Sequence, residues 1–216
     1  MPLMDDKTRE DVREMLSELT GPVKLVVFTR QSDCDYCAET RQIAEEVAEL
    51  NDLITVEAHD FARDEAYAQQ LGLDKAPAIA ILGADDRDYR IRFYGIPAGY
   101  EFMSLLEAIR LVSTGNVQLS AETLRYLDAL EGDLHLQVFV TPTCPYCPRA
   151  VMLAHQMAFA SARVRADMVE ANEFLDLSMQ YNVMGVPRTV INEDTFIEGA
   201  APEMMLVAKI QEALAG

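Results

Sequence analysis

The chain has 216 residues, half of them apolar, and a net charge of −18. That length suits two domains of about 100 residues each. The acid excess runs through both halves and excludes the basic patch that nucleic acid or an anionic membrane surface requires.

In chain order, the first predicted element is a helix over 8–19, opened by the charged, amphipathic stretch "MPLMDDKTREDVREML". That stretch lacks the apolar region of a secretory signal. No segment approaches the ~18 consecutive apolar residues that cross a bilayer. A cytoplasmic protein without membrane association is expected. The apolar run "VKLVVF" (23–28) reads as a buried strand and leads into a C-x-x-C pair, Cys34 and Cys37. "AETRQIAEEVAEL" then sets Ile43, Val47 and Leu50 at helical spacing. Strand-like "LITVEA" (53–58) and helical "DEAYAQQLGL" (64–73) follow. After Pro77 come a strand at 78–82, another near 90–95, and a helix at 101–113. "STGNVQLS" (113–120) divides the chain, with Gly115 suited to close one helix and Ser120 to cap the next.

The same order then repeats. A helix (121–130) and a strand (135–140) precede Cys144 and Cys147 in "PTCPYCPR". The helix "RAVMLAHQMAFAS" is apolar almost all round. It is expected to bury a second side, against the other unit or in a homodimer. A strand (162–168), a helix (173–183), Pro187, strands at 188–192 and 195–199, and a helix at 203–214 complete the unit. Both cysteines and the proline recur at one offset of 110, and each first cysteine precedes its proline by 43. Two α/β units are predicted, 1–116 and 117–216. Each is a mixed four-stranded sheet flanked by helices, with an extra N-terminal helix.

Two cysteines at i and i+3 in a helix's first turn lie on one face, within the ~4.4–6.8 Å Cα separation of a disulfide. The helix N-terminus favours negative charge and lowers the first thiol's pKa. Cys34 and Cys144 are therefore the expected nucleophiles, and Cys37 and Cys147 the resolving thiols. A shared zinc is disfavoured, because 106 residues separate the pairs where ~15–20 are usual. A cluster bridged between two chains, or permanent structural disulfides, are further alternatives.

The strand–CxxC–helix–βα–Pro–ββα order resembles the thioredoxin fold. "CPYC" and "GVPRTVINEDTFIEGAAPE" resemble glutaredoxins. Two such units with both pairs present resemble the protein disulfide oxidoreductases of thermophilic archaea and bacteria, often called glutaredoxin-like proteins, over nearly the whole chain. The resemblance implies tandem thioredoxin-like units and cis peptides at Ala76–Pro77 and Val186–Pro187. It also implies disulfide-containing protein substrates held along Tyr36, Ala76, Pro77, Tyr146, Val186 and Pro187. Electrons would come from a thioredoxin reductase-like flavoprotein or small thiols, with no bound cofactor or metal. The rivals are an electron-transfer arm of a peroxidase and flavoprotein reductase system, whose familiar module keeps one cysteine pair, and a non-catalytic binding module.

Thioredoxins carry a buried acid six residues before the first cysteine; here those positions are Phe28 and Val138. Glu57 and Asp167, related by the same offset, are weak substitutes or simply exposed strand acids. Asp33 and Asp35 flank Cys34, whereas Thr143, Pro145 and Arg149 surround the second pair. Carboxylates disfavour a thiolate and a guanidinium favours it, so Cys144 is expected to be the more acidic thiol and the first site the more reducing. Pro148 removes an N–H from the helix's first turn. His59, His135 and His155 read as structural or surface residues, and the methionines as core and interface packing.

Overall fold

The computed structural model describes residues 2–215. In the first half α1 (Asp6–Leu16), β1 (Val23–Thr29), α2 (Cys37–Ala48), β2 (Ile54–Asp60) and α3 (Glu65–Gln70) precede β3 (Ala78–Leu82), β4 (Asp88–Tyr94) and α4 (Glu101–Thr114). The second half repeats them as α5 (Ala121–Asp128), β5 (Leu134–Val140), α6 (Cys147–Ala160), β6 (Val164–Glu170), α7 (Leu175–Gln180), β7 (Arg188–Ile191), β8 (Thr195–Glu198) and α8 (Glu203–Ala215). The helix ends follow local chemistry. Asp5 accepts the Thr8 N–H at 2.8 Å to open α1, and Ser120 accepts the Thr123 N–H at 3.2 Å to open α5. Gly115, at φ 68°, closes α4 by donating its N–H to Leu111 O.

The two four-stranded sheets are fused edge to edge. One eight-stranded sheet runs β2-β1-β3-β4-β6-β5-β7-β8. The seam is the parallel pair β4–β6, from Ile91 opposite Ala166 to Tyr94 opposite Val169. One core lies between the sheet and α1, α2, α4, α5, α6 and α8, and it crosses the seam without a break: Leu105 and Ile109 of α4 pack with Val151, Ala154 and Met157 of α6. This contact explains why α6 is apolar almost all round, since the sheet takes one side and α4 another. Burying each such aliphatic side chain contributes about 1.5–3 kcal/mol. The opposite face carries a smaller core under α3 and α7, built from Phe28, Leu71, Tyr94 and Phe139.

The internal repeat slips by one residue ahead of the first dithiol. β1 and β5 are related by 111 positions, whereas α2 and α6, and β2 and β6, are related by 110. The loop from Thr29 to Cys34 is thus one residue longer than that from Val140 to Cys144, and Asp33 within it adopts φ 55°. A one-residue shift turns a strand's side chains over. Phe28 therefore matches Phe139 on the α3/α7 face, while Val27 matches Val138 on the cysteine-bearing face. The sequence pairing of Phe28 with Val138 is corrected accordingly. No carboxylate occupies that position in either half.

Candidate functional site: two dithiols on one sheet edge

Strands β1, β2, β4, β5 and β6 run in one direction. Both C-x-x-C loops therefore leave the same edge of the sheet, one after β1 and the other after β5. Four interstrand steps separate these strands. At about 4.8 Å per step the sites stand roughly 19 Å apart. Sulfur atoms must touch to exchange, so direct transfer between the pairs is excluded on this frame, and a shared zinc, with Zn–S bonds of about 2.3 Å, is excluded with it. Among the described residues no group of three or more His, Cys, Asp or Glu side chains is gathered to hold a metal.

Each pair is joined as a disulfide with a Cα separation of 5.5 Å. The helices start at the second cysteine, with Tyr36 and Tyr146 as N-caps. Cys34 and Cys144 thus stand in front of the helix ends and not within the first turn, still close to the unpaired N–H groups there. Pro148 falls at the second helical position, where an N–H has no intrahelical partner, so it costs the helix no hydrogen bond. Cys34 is half-buried while Cys144 is 8% exposed, and Cys37 and Cys147 are both buried. The Arg30 N–H donates to Cys37 Sγ at 3.2 Å. Ala76–Pro77 and Val186–Pro187 are both cis. Ala76, Pro77 and Pro187 are buried and Val186 half-buried, while the Tyr36 and Tyr146 rings are 45% and 66% exposed.

The two candidate strand acids do not serve the cysteines. Glu57 lies opposite Val26 and Asp167 opposite Gln137, which puts both on the α3/α7 side of the sheet. Glu57 is half-exposed and pairs with Lys24 and His59. Asp167, contrary to an exposed reading, is fully buried. It accepts hydrogen bonds from Arg165 Nη2 at 2.9 Å and shares one with His135 Nε2 at 2.7 Å. These partners overcome the burial and hold its pKa near 2. His59 stacks on Phe28 at 5.1 Å, and His155 is buried edge-on to Phe93 at 5.0 Å and kept neutral by burial.

A buried carboxyl that sequence reasoning did not single out, Glu101, follows a turn that touches the loop carrying the second dithiol. The turn after β4 crosses the seam: Gly99, at φ 60°, packs on Pro142, and the Tyr100 N–H donates to Pro142 O at 2.9 Å. Pro142 belongs to the loop that carries Cys144. Glu101 opens α4 directly after this contact and is wholly buried. Ser104 Oγ donates to its Oε2 at 2.7 Å, and its Oε1 has no hydrogen-bond partner among the described residues. Burial raises its pKa to about 7. Sequence reasoning missed it because an acid at a helix start ordinarily reads as a solvated dipole partner. The available signal was length: six positions separate Gly95 from Glu101, but four separate Gly199 from Glu203.

The exposed surfaces of α7 and of the segment before Pro187 differ in kind from their first-half equivalents. Leu175, Met179 and Met184 are 60%, 67% and 90% exposed on α7 and the segment before Pro187. At the offset of 110 the first half has Glu65, Gln69 and Asp74.

A doubled sheet with a C-x-x-C pair and a cis-proline in each half defines a tandem thioredoxin-fold dithiol protein. Residues 134–212 match the thioredoxin-domain family. A protein disulfide oxidoreductase from Aeropyrum pernix K1 superposes with a TM-score of 0.90 at 30% identity, over 97% of this chain and 93% of that one. The chain belongs to that protein disulfide oxidoreductase family. The NTD_N/C domain of Enterococcus faecalis alkylhydroperoxide reductase AhpF is also similar, with a TM-score of 0.87 and 28% identity over 98% of this chain and 99% of that domain. An alkyl hydroperoxide reductase component of Pseudomonas putida is 27% identical over 96% of this chain, which spans only 37% of that protein's length.

Proposed function

We propose that the chain reduces, forms or rearranges protein disulfides through two dithiols, one in each of units 1–116 and 117–216. In the reducing direction the Cys144 thiolate attacks a substrate disulfide. A Cys144–substrate disulfide forms, and the other substrate sulfur leaves as a thiolate. Cys147 then attacks Cys144 Sγ, closing the protein disulfide and releasing the second substrate thiolate. Two electrons pass to the substrate, and Glu101 takes the proton that Cys147 must lose. Cys34 and Cys37 carry out the same exchange, with the proton of Cys37 passing to water. Pro77 and Pro187, with Ala76, Val186, Tyr36 and Tyr146, line the substrate paths.

The observation that carries this reading is the repeated placement of each pair at a helix start on one sheet edge beside a cis-proline. The bare Leu175, Met179 and Met184 support the second site as the one that meets polypeptide substrates, with apolar segments covering exposed apolar surface. Asp33 and Asp35 support the first site as the more reducing. Because the pairs stand too far apart to exchange directly, any electron flow from first to second passes through a mobile thiol or a partner protein. A thioredoxin reductase-like flavoprotein or small thiols supply the electrons.

Insulin reduction with dithiothreitol tests this reading. Cys144→Ser/Cys147→Ser should abolish most turnover, and Cys34→Ser/Cys37→Ser should only slow it. Full activity in both double variants would overturn the proposal. A second reading, a reductant arm for a peroxidase system, is favoured by the likeness to the alkyl hydroperoxide reductase component of Pseudomonas putida. It predicts rapid reduction of this chain by a flavoprotein reductase and slow turnover with insulin.

A further inference from the structure

At the middle of the active edge, two turns meet across the seam. The turn after β4 begins with Gly95, whose N–H donates to Pro77 O at 3.0 Å, next to the first dithiol. The turn after β6 brings Glu173, whose Oε1 accepts the Ile96 N–H at 2.5 Å. Gly95 adopts φ 88°, and a Cβ there would meet Glu170 Cβ at 2.5 Å and Glu173 Oε1 at 2.7 Å, so only glycine admits these acids. Asp35, between the first pair of cysteines, is near enough to act on Glu173 electrostatically. The residue at the equivalent place in the first half is Arg63, exposed to solvent. The contact is therefore particular to the seam.

We propose that Glu173 is a positioning residue for the first dithiol, supplied by the opposite half of the chain. It holds the Gly95–Ile96 turn against Pro77 and sets carboxylate charge beside Asp35, which disfavours the Cys34 thiolate and keeps that site reducing. This deepens the reading above and rests on it for the first pair's redox role. The charged groups facing Glu173 are Glu170 at the end of β6 and Asp35. Burial, helped by these two charges, pushes its pKa up to about 7 against the Ile96 hydrogen bond. The charge is thus present above neutrality and fades below it. Protonation of Glu173 would therefore ease the charge repulsion at the Cys34 site as pH falls through neutrality.

The test is the alkylation rate of Cys34 by iodoacetamide in chemically reduced Cys144→Ser/Cys147→Ser protein, with and without Glu173→Gln. At pH 8 the Gln variant should react about two- to fivefold faster, the effect of removing one like charge from a solvent-facing site. At pH 6 the gain should shrink to less than half of that. Cys144 in the Cys34→Ser/Cys37→Ser background should be unaffected. Glu173→Ser, which removes charge and hydrogen bond together, should give the same selective rise. No rise at pH 8, an equal rise at both pH values, or an equal rise at Cys144 would each overturn the proposal. Alkylation needs no turnover. A first pair that reacts normally here but fails in insulin reduction would therefore sink the functional reading while leaving this result standing.

Discussion

Replacing Glu101 by glutamine should make the protein more stable and its second site worse. The wild-type carboxyl is wholly enclosed, and its pKa rises from an ordinary 4.5 to about 7. Between these values the folded state binds a proton that the unfolded state has released, so stability falls as pH rises through the window. The full cost is present above pH 7. At 1.36 kcal/mol per pKa unit it comes to about 3 kcal/mol. Glutamine keeps the shape and the acceptor for Ser104 Oγ but never ionises. Urea unfolding at pH 8 should therefore show Glu101→Gln more stable by up to about 3 kcal/mol, which is roughly 6–12 °C in Tm for a chain of this size. At pH 4 the difference should vanish. In the Cys34→Ser/Cys37→Ser background the same variant should lose about tenfold or more in insulin turnover, the scale of a lost proton acceptor. Its rate should also lose the pH dependence near 7. An equal stability change at both pH values would refute the buried-carboxyl argument. Unchanged turnover would refute Glu101's role in proton transfer.

Asp167→Asn should destabilise the fold by up to about 3 kcal/mol in urea unfolding at pH 7, because it removes the buried carboxylate that pairs with the half-buried guanidinium of Arg165. In the wild type the depressed Asp167 pKa means that its contribution is present above pH 3.8 and lost as pH falls towards about 2, which acid titration of the melting temperature should follow. Leu175→Glu, Met179→Gln and Met184→Asp together, which copy the first half, should raise KM for insulin several-fold while changing stability by less than about 0.5 kcal/mol, as exposed positions do. Gly99→Ala should cost about 1–2 kcal/mol for its left-handed backbone alone. It should also slow the second site more than the first, since the added methyl presses on the Pro142 carbonyl.

Most of the fold was legible because periodicity and punctuation agree along each half. Every strand and helix read from the sequence is present, with ends moved by a few residues, as at α1 and α3. The division near Gly115 and Ser120 carried its own capping chemistry. Three features were not legible. The extra residue before Cys34 hides in a polar loop, and matching the halves by their cysteines misaligned β1 with β5. The seam between β4 and β6 depends on which sheet edges meet, and no local pattern records that. Glu101, Glu173 and Asp167 owe their burial to groups contributed across the seam or by a neighbouring strand, so their sequence neighbours give no warning. The cysteines and prolines were readable because their chemistry is local.

The order of the strands has one more consequence. The seam joins the last strand of one repeat to the outer strand of the next, as bricks are laid in a row. The two ends of the finished row, β8 and β2, have the same relation to each other as β4 and β6. A copy of the chain added at either end would extend the row without closing it, the geometry that grows fibres. The end strands guard against this. β8 is only four residues long and ends on Glu198, while β2 displays Glu57 and Asp60. A short strand and like charges at both ends suit a row that stops at two bricks.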